Sequence, residues 1–86
     1  MRWMHADGEV RDSDPECWGV YIRGADDWIA HVSRKKAEEA ALALNERIVA
    51  GMHYDENDPW AWAIPDLWPW DQASHDAALR ALQEQV

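Results

Sequence analysis

Between Cys17 and Val32 the chain alternates in two short runs separated by "GADD". In "CWGVYIR", Trp18, Val20 and Ile22 share one side, and Cys17, Tyr21 and Arg23 share the other. In "WIAHV", Trp28, Ala30 and Val32 stand opposite Ile29 and His31. A period of two marks a strand, and a short turn with a glycine for its left-handed dihedral joins the two into a hairpin. The period then changes. From Arg34 to about Ala50 the residues are strong helix formers without Pro or Gly. Ala37, Ala41, Leu44 and Ile48 recur at helical spacing and make one apolar stripe. Ser33 is placed to cap the start of this helix and Gly51 to end it in the left-handed region. The small alanines let the helix lie close to a sheet, so Trp18 and Trp28 are expected as the large side chains of a hairpin–helix core.

The second half is punctuated by proline. "HYDENDP" reads as a polar loop, and "WAWAI" alternates once more, with Trp60, Trp62 and Ile64 opposite Ala61 and Ala63. Pro59 and Pro65 on either side confine this strand to a sheet edge. Pro65 and Pro69 bend "PDLWPW", after which Asp71 or Ser74 caps a closing helix that runs to about Gln85. Its stripe is His75, Leu79, Leu82 and Val86, with Asp76 and Arg80 one turn apart. At the other end "RWMHADGEVR" reads as one further strand, stopped by "DSDPE". The expected architecture is α+β, in the order ββαβα. It is a single domain over residues 1–86, divided into an acidic segment (1–16), a hairpin–helix unit (17–51) and an acidic, Trp- and Pro-rich segment (52–86).

Composition adds a compartment and a class of partner. An apolar content of 48% with seven Trp is too hydrophobic for a disordered tail. The lone Cys17 allows no internal disulfide and fits a reducing compartment. The N-terminal stretch lacks the apolar run of a signal peptide, and "AALAL" (40–44) is far too short to span a membrane. A soluble, cytoplasmic protein is expected. The net charge of −9 is uneven. Residues 18–51 balance five acids with five bases, whereas 52–86 carry seven acids against one base. Such a field repels nucleic acid and anionic membranes and favours a protein with a basic surface. It also keeps a Trp-rich chain in solution.

The stretch "WGVYIRGADDWIAHVSRKKAEEAALALNERI", residues 18 to 48, resembles short accessory proteins of actinobacteria and their phages. The shared pattern is a hairpin followed by an alanine-rich helix ending in Leu-Asn. Those proteins carry no assigned activity, so the resemblance transfers no functional residue. It implies a small acidic protein that binds and redirects a host factor.

Candidate chemistry is sparse. His5 with Asp7, and His53 with Asp55, are spaced to project together from an extended chain, and Cys17 is a further possible ligand. No Cys-x-x-Cys or His-Glu-x-x-His accompanies them, so neither a metal nor any other cofactor is expected. Cys17 follows Glu16, whose charge disfavours a thiolate, so it reads as a small packed side chain rather than a nucleophile. Asp26 and Asp27 fall in a turn that favours aspartate. His75 reads as a core-edge histidine and His31 as solvent-facing. No enzymatic activity is expected. Arg34, Lys35 and Lys36 oppose the dipole of the helix they open. An external anion or, preferably, an acidic segment of the same chain would balance them.

The tryptophans carry the functional expectation. Burying one indole is worth about 4–6 kcal/mol gross, but a body this small has little room, and each ring N–H needs an acceptor once buried. The stretch from 59 to 70 holds four of the seven Trp. Trp60, Trp62, Trp68 and Trp70, rimmed by Asp55, Glu56, Asp58, Asp66 and Asp71, are expected to form an outward aromatic patch for a basic protein partner. Two other readings use the same residues. In one, the carboxylates mimic nucleic acid in a basic groove; in the other, the patch is a homodimer interface.

Overall fold

The computed structural model describes residues 1–49 and 62–84. Gly51, His53, Asp55, Glu56, Asp58, Trp60 and Val86, each given a role above, lie outside the described residues. Strands β3 (Trp18–Arg23) and β4 (Asp27–His31) form the expected hairpin. Gly24 (φ 100°) and Asp26 (φ 53°) supply the left-handed turn. The Tyr21 hydroxyl donates to Asp26 across 2.9 Å and pins the loop back onto its strand. Helix α1 (Arg34–Val49) starts at Ser33, whose Oγ accepts the Lys36 amide at 3.2 Å. Its expected stripe faces the sheet: Ala37 and Ala41 are buried, and Leu44 packs beside them.

Strand β5 (Trp62–Leu67) pairs antiparallel with β3, so the sheet order is β4-β3-β5 with β3 central. The strand is an edge, as the prolines require, but it runs through Pro65 rather than stopping before it. The hydrogen-bond parity shows why. The outward-facing amides are those of residues 63, 65 and 67. Ala63 donates to Asn45 Oδ1 at 2.8 Å, Pro65 has no N–H, and Leu67 donates to Asp66 Oδ1 at 2.8 Å. Asn45 closes the fork by donating to the Ala63 carbonyl at 2.9 Å. None of the edge amides is therefore left for another strand to pair with.

Helix α2 (Gln72–Glu84) is capped by Asp71, whose Oδ1 accepts the Ser74 amide at 2.9 Å. The N-terminal segment differs from expectation. It is a second hairpin, β1 (Arg2–Met4) against β2 (Val10–Asp12), forming its own two-stranded sheet. Asp7-Gly8 is the turn: Gly8 takes φ 91°, and Asp7 accepts the Glu9 amide at 3.0 Å. An Asp-Gly pair is a strong short-range hairpin signal. Burial works against charge on Asp7, yet the Glu9 amide and Arg11 hold its carboxyl below the usual carboxylate range.

The sheet is covered on both faces. Val20, Ala37, Ala41 and Ala63, with Trp18 and Ile22, fill the α1 face. Cys17, Ala30 and Trp68, with Trp28, Ala78 and Leu79, fill the α2 face. Register separates the two hairpin tryptophans. Trp28 pairs directly with Tyr21 and so shares its face, opposite Trp18. The expectation that both indoles build one hairpin–helix core is corrected accordingly. Gly19 is the second residue of β3, where a Cβ would stand 2.7 Å from the Ile29 carbonyl oxygen and 3.1 Å from the Trp68 ring. The backbone of β4 excludes a side chain at this position, and the Trp68 ring sits against the space left open.

Candidate functional site

The aromatic rings gather on the α2 face. Trp68 lies 5.2 Å from Trp70, 6.4 Å from Trp28 and 5.6 Å from His75 between ring centroids, each contact close to T-shaped. Tyr21 and His5 extend the group at 5.0 and 5.7 Å from Trp28. Such contacts add to the burial energy and fix ring orientation.

The four expected anchor tryptophans do not act alike. Trp68 is only 4% exposed, and its ring N–H donates to Ser74 Oγ at 3.0 Å. It is a core residue, which corrects its reading as an outward anchor. Cys17, Gly19 and Ala30 on the facing strands are small enough to admit the ring. Trp70, 51% exposed, is the outward member, set edge-on to Trp68 and 6.5 Å from Trp28. A shallow hollow of about 190 Å³ lies between β4 and α2, lined by Trp28, Ile29, Ala30, Ala78, Ala81 and Leu82. Trp62, 43% exposed, belongs elsewhere. It lines an apolar groove of about 340 Å³ with Leu42 and Val49 of α1, flanked by Asn45 and Glu46. The structure therefore splits the expected single patch into two surfaces and a core residue, with Trp60 outside the described residues.

The carboxylates are also redistributed. Asp71 sits beside Trp70, exposed, and doubles as the cap of α2. Asp66 is buried and belongs to no rim, which corrects its expected role. Its Oδ1 accepts the Trp3 ring N–H and its Oδ2 the Ala6 amide, both at 2.8 Å. His5 Nδ1 lies 3.4 Å from the same carboxylate, and His5 Nε2 lies 2.7 Å from Ser13 Oγ. Asp66 thus fastens the N-terminal hairpin to β5. A serine, a histidine and an aspartate in this order have the connectivity of a nucleophile triad. Ser13 is 3% exposed, and through His5 it joins the buried group that holds the hairpin to β5.

Two histidines meet at the end of the β3–β4 ladder. His75 Nε2 lies 2.9 Å from the Trp18 carbonyl oxygen and 3.0 Å from that of His31. Carbonyl oxygens only accept, so Nε2 carries the hydrogen and closes the open end of the β3–β4 ladder. His31 is half-buried rather than solvent-facing, and its Nε2 is buried with no partner. Burial, and then the neighbouring His75, lower its affinity for a proton. Cys17 is 3% exposed, and burial followed by Asp14, Asp76 and Glu16 pushes its thiol up, away from a reactive thiolate.

Among the described residues no three His, Cys, Asp or Glu side chains converge on a point that could hold a metal ion. No described helix is long and apolar enough to cross a membrane. At the start of α1, Arg34 bonds Glu38 at 2.9 Å and lies 5.4 Å from the Trp18 ring centroid, while Lys36 reaches Glu39 at 3.5 Å. Arg34 and Lys36 thus find counter-charges on their own helix. Compared with family models, with curated proteins and with solved structures, the chain matches none.

Proposed function

We propose that this protein is a small, acidic, non-enzymatic protein-binding module, with Trp70 as its anchor and the hollow beside Trp28 as the adjoining contact. The observation that carries this reading is the setting of Trp70. Half of the residue is outside the protein, while Trp68 and Trp28 brace the ring. A large side chain already held in place loses little freedom on binding, which is what makes an interface hot spot. Asp71 next to it and the net charge of −9 favour a basic partner surface. The lone cysteine fits action in the cytoplasm, and the resemblance of residues 18–48 makes a phage or mobile-element modulator of a host protein the natural form of the activity.

The test compares wild type with Trp70→Ala in capture from a host lysate, across a salt series. Wild type should retain a basic protein that raised salt releases, and Trp70→Ala should lose it while its melting temperature stays within a few degrees of wild type. Retention of the same protein by Trp70→Ala would overturn the reading. A homodimer is the second reading, favoured by the separate groove, where Leu42 and Val49 are 62% and 75% exposed. Sedimentation at micromolar concentration, with Val49→Asp as the disrupting variant, separates the two.

A further inference from the structure

Trp70 is braced from one side only. Its ring centroid lies 5.2 Å from that of Trp68 and 6.5 Å from that of Trp28, and those two are 6.4 Å from each other. Three such distances close a nearly regular triangle, so both neighbours stand on the same side of Trp70. The residue is 51% exposed, and among the described residues no other ring meets it from the opposite side. The open side of a held indole is a fixed platform with a negative π-face.

The opposite face of the sheet shows what such a ring accepts. At the start of α1 the Arg34 guanidinium lies 5.4 Å from the Trp18 centroid, within the range at which a cation is drawn to an indole. Among the described residues this is the one cation set over a tryptophan, so Trp70 has the ring without the charge. Next to it the chain supplies an anion instead. Asp71 is exposed; its Oδ1 accepts the Ser74 amide, while its Oδ2 has no partner among the described residues. The positive end of α2, worth about half a unit charge, offsets only part of this carboxylate. The seven acids against one base in residues 52–86 add a field that draws cations to this half of the chain.

The two groups together distinguish one cation from another. A lysine ammonium is a compact, strongly hydrated point charge, and it must shed water to rest on a ring. A guanidinium is planar and weakly hydrated. It stacks flat on the indole and keeps the N–H groups at its edge free to donate to a carboxylate.

We propose that the open side of Trp70, with Asp71, is a binding site for an arginine side chain of the partner protein. The guanidinium stacks on the indole and donates to Oδ2 of Asp71. This inference rests on the reading of Trp70 as an anchor and names what the anchor takes. It also gives Asp71 a second task beside capping α2.

The full chain tests it by NMR at low salt with three capped pentapeptides, in which two arginines, two lysines or two citrullines alternate with glycine. Citrulline keeps the planar head and loses the charge. The indole N–H signal of Trp70, identified by its absence from Trp70→Ala, should move saturably with the arginine peptide. The lysine peptide should bind at least about threefold more weakly, and the citrulline peptide should leave the signal in place. Asp71→Asn should weaken the arginine peptide about threefold without lowering the melting temperature, because asparagine caps a helix as well as aspartate does. Equal binding of the lysine peptide, a response to citrulline, or undiminished binding by Asp71→Asn would overturn the proposal. Lysate capture keeps the two readings apart. If Trp70→Ala loses its captured protein while the arginine peptide leaves Trp70 unmoved, the arginine site falls and the anchor stands. If the arginine peptide binds as expected while Trp70→Ala still captures the same protein, the site stands and the anchor falls.

Discussion

On the α1 face of the sheet, Val20 meets Ala37, Ala41 and Ala63, a small aliphatic centre with Trp18 packed beside it. On the α2 face, Trp28 and Trp68 share the space with His5, Asp66 and His75, and the polar groups there hold specific partners. One β3 strand presents both. The alanine face works by close approach: with small side chains the helix comes near the sheet, and any regular amphipathic helix would serve. The aromatic face works by shape, since each indole needs a cavity of its own form and an acceptor for its N–H. The first kind of packing tolerates variation, and the second specifies a unique arrangement. The exposed Trp70 belongs to the second kind, so its position is set by the same rings that build the core.

Removing the largest ring breaks the aromatic face. Trp68→Ala should cost about 3–5 kcal/mol, read as a melting temperature lower by at least about 12 °C. A loss as small as that of Trp70→Ala would mean that the ring is not a core residue. On the opposite face, overpacking is the sharper probe. Ala37→Leu should cost about 1–3 kcal/mol in urea unfolding, because the helix must lift from the sheet. A neutral result would show that the close approach of α1 is not needed.

At the rim of the α1 face, Asn45→Ala removes both bonds to Ala63, and about 1–2 kcal/mol of stability should go with them. It also bares an edge amide and carbonyl, so aggregation on mild heating should increase, followed by light scattering. The smallest expected effect falls on His31, at the end of β4. The fold lowers the proton affinity of His31, so the unfolded chain takes up a proton first as the pH falls. Stability from this group is complete above the ordinary histidine value of 6.5 and is lost as the pH drops through the lower folded value. Urea midpoints across that range should fall in wild type and stay level in His31→Asn.

Much of the first face was legible along the chain. Period-two runs, Ser33 before a helix-forming stretch and the spacing of Ala37, Ala41 and Leu44 are local signals, and each appears in the structure where the pattern puts it. The Asp7-Gly8 turn was equally local but is flanked by strands of only three residues, too short to show alternation. The candidate site was less legible. Trp68 and Trp70 sit two residues apart across one proline, and composition treats them alike. A pointer to their difference existed in Gly19, a glycine inside a strand, which marks the close approach of another group. The approaching group lies 49 positions later, so the pointer does not name it.

The sequence by itself determined the elements from β3 onward, the edge position of the proline-bearing strand and the acidic charge, because propensity, period and net charge are properties of neighbours along the chain. Tertiary structure alone decided which tryptophan is sealed and which is offered, and that Asp66 fastens a hairpin instead of rimming a patch. Those outcomes depend on which small residues and which donors come to face a given side chain, and the register and handedness of the packed sheet set that, not the order of residues beside it.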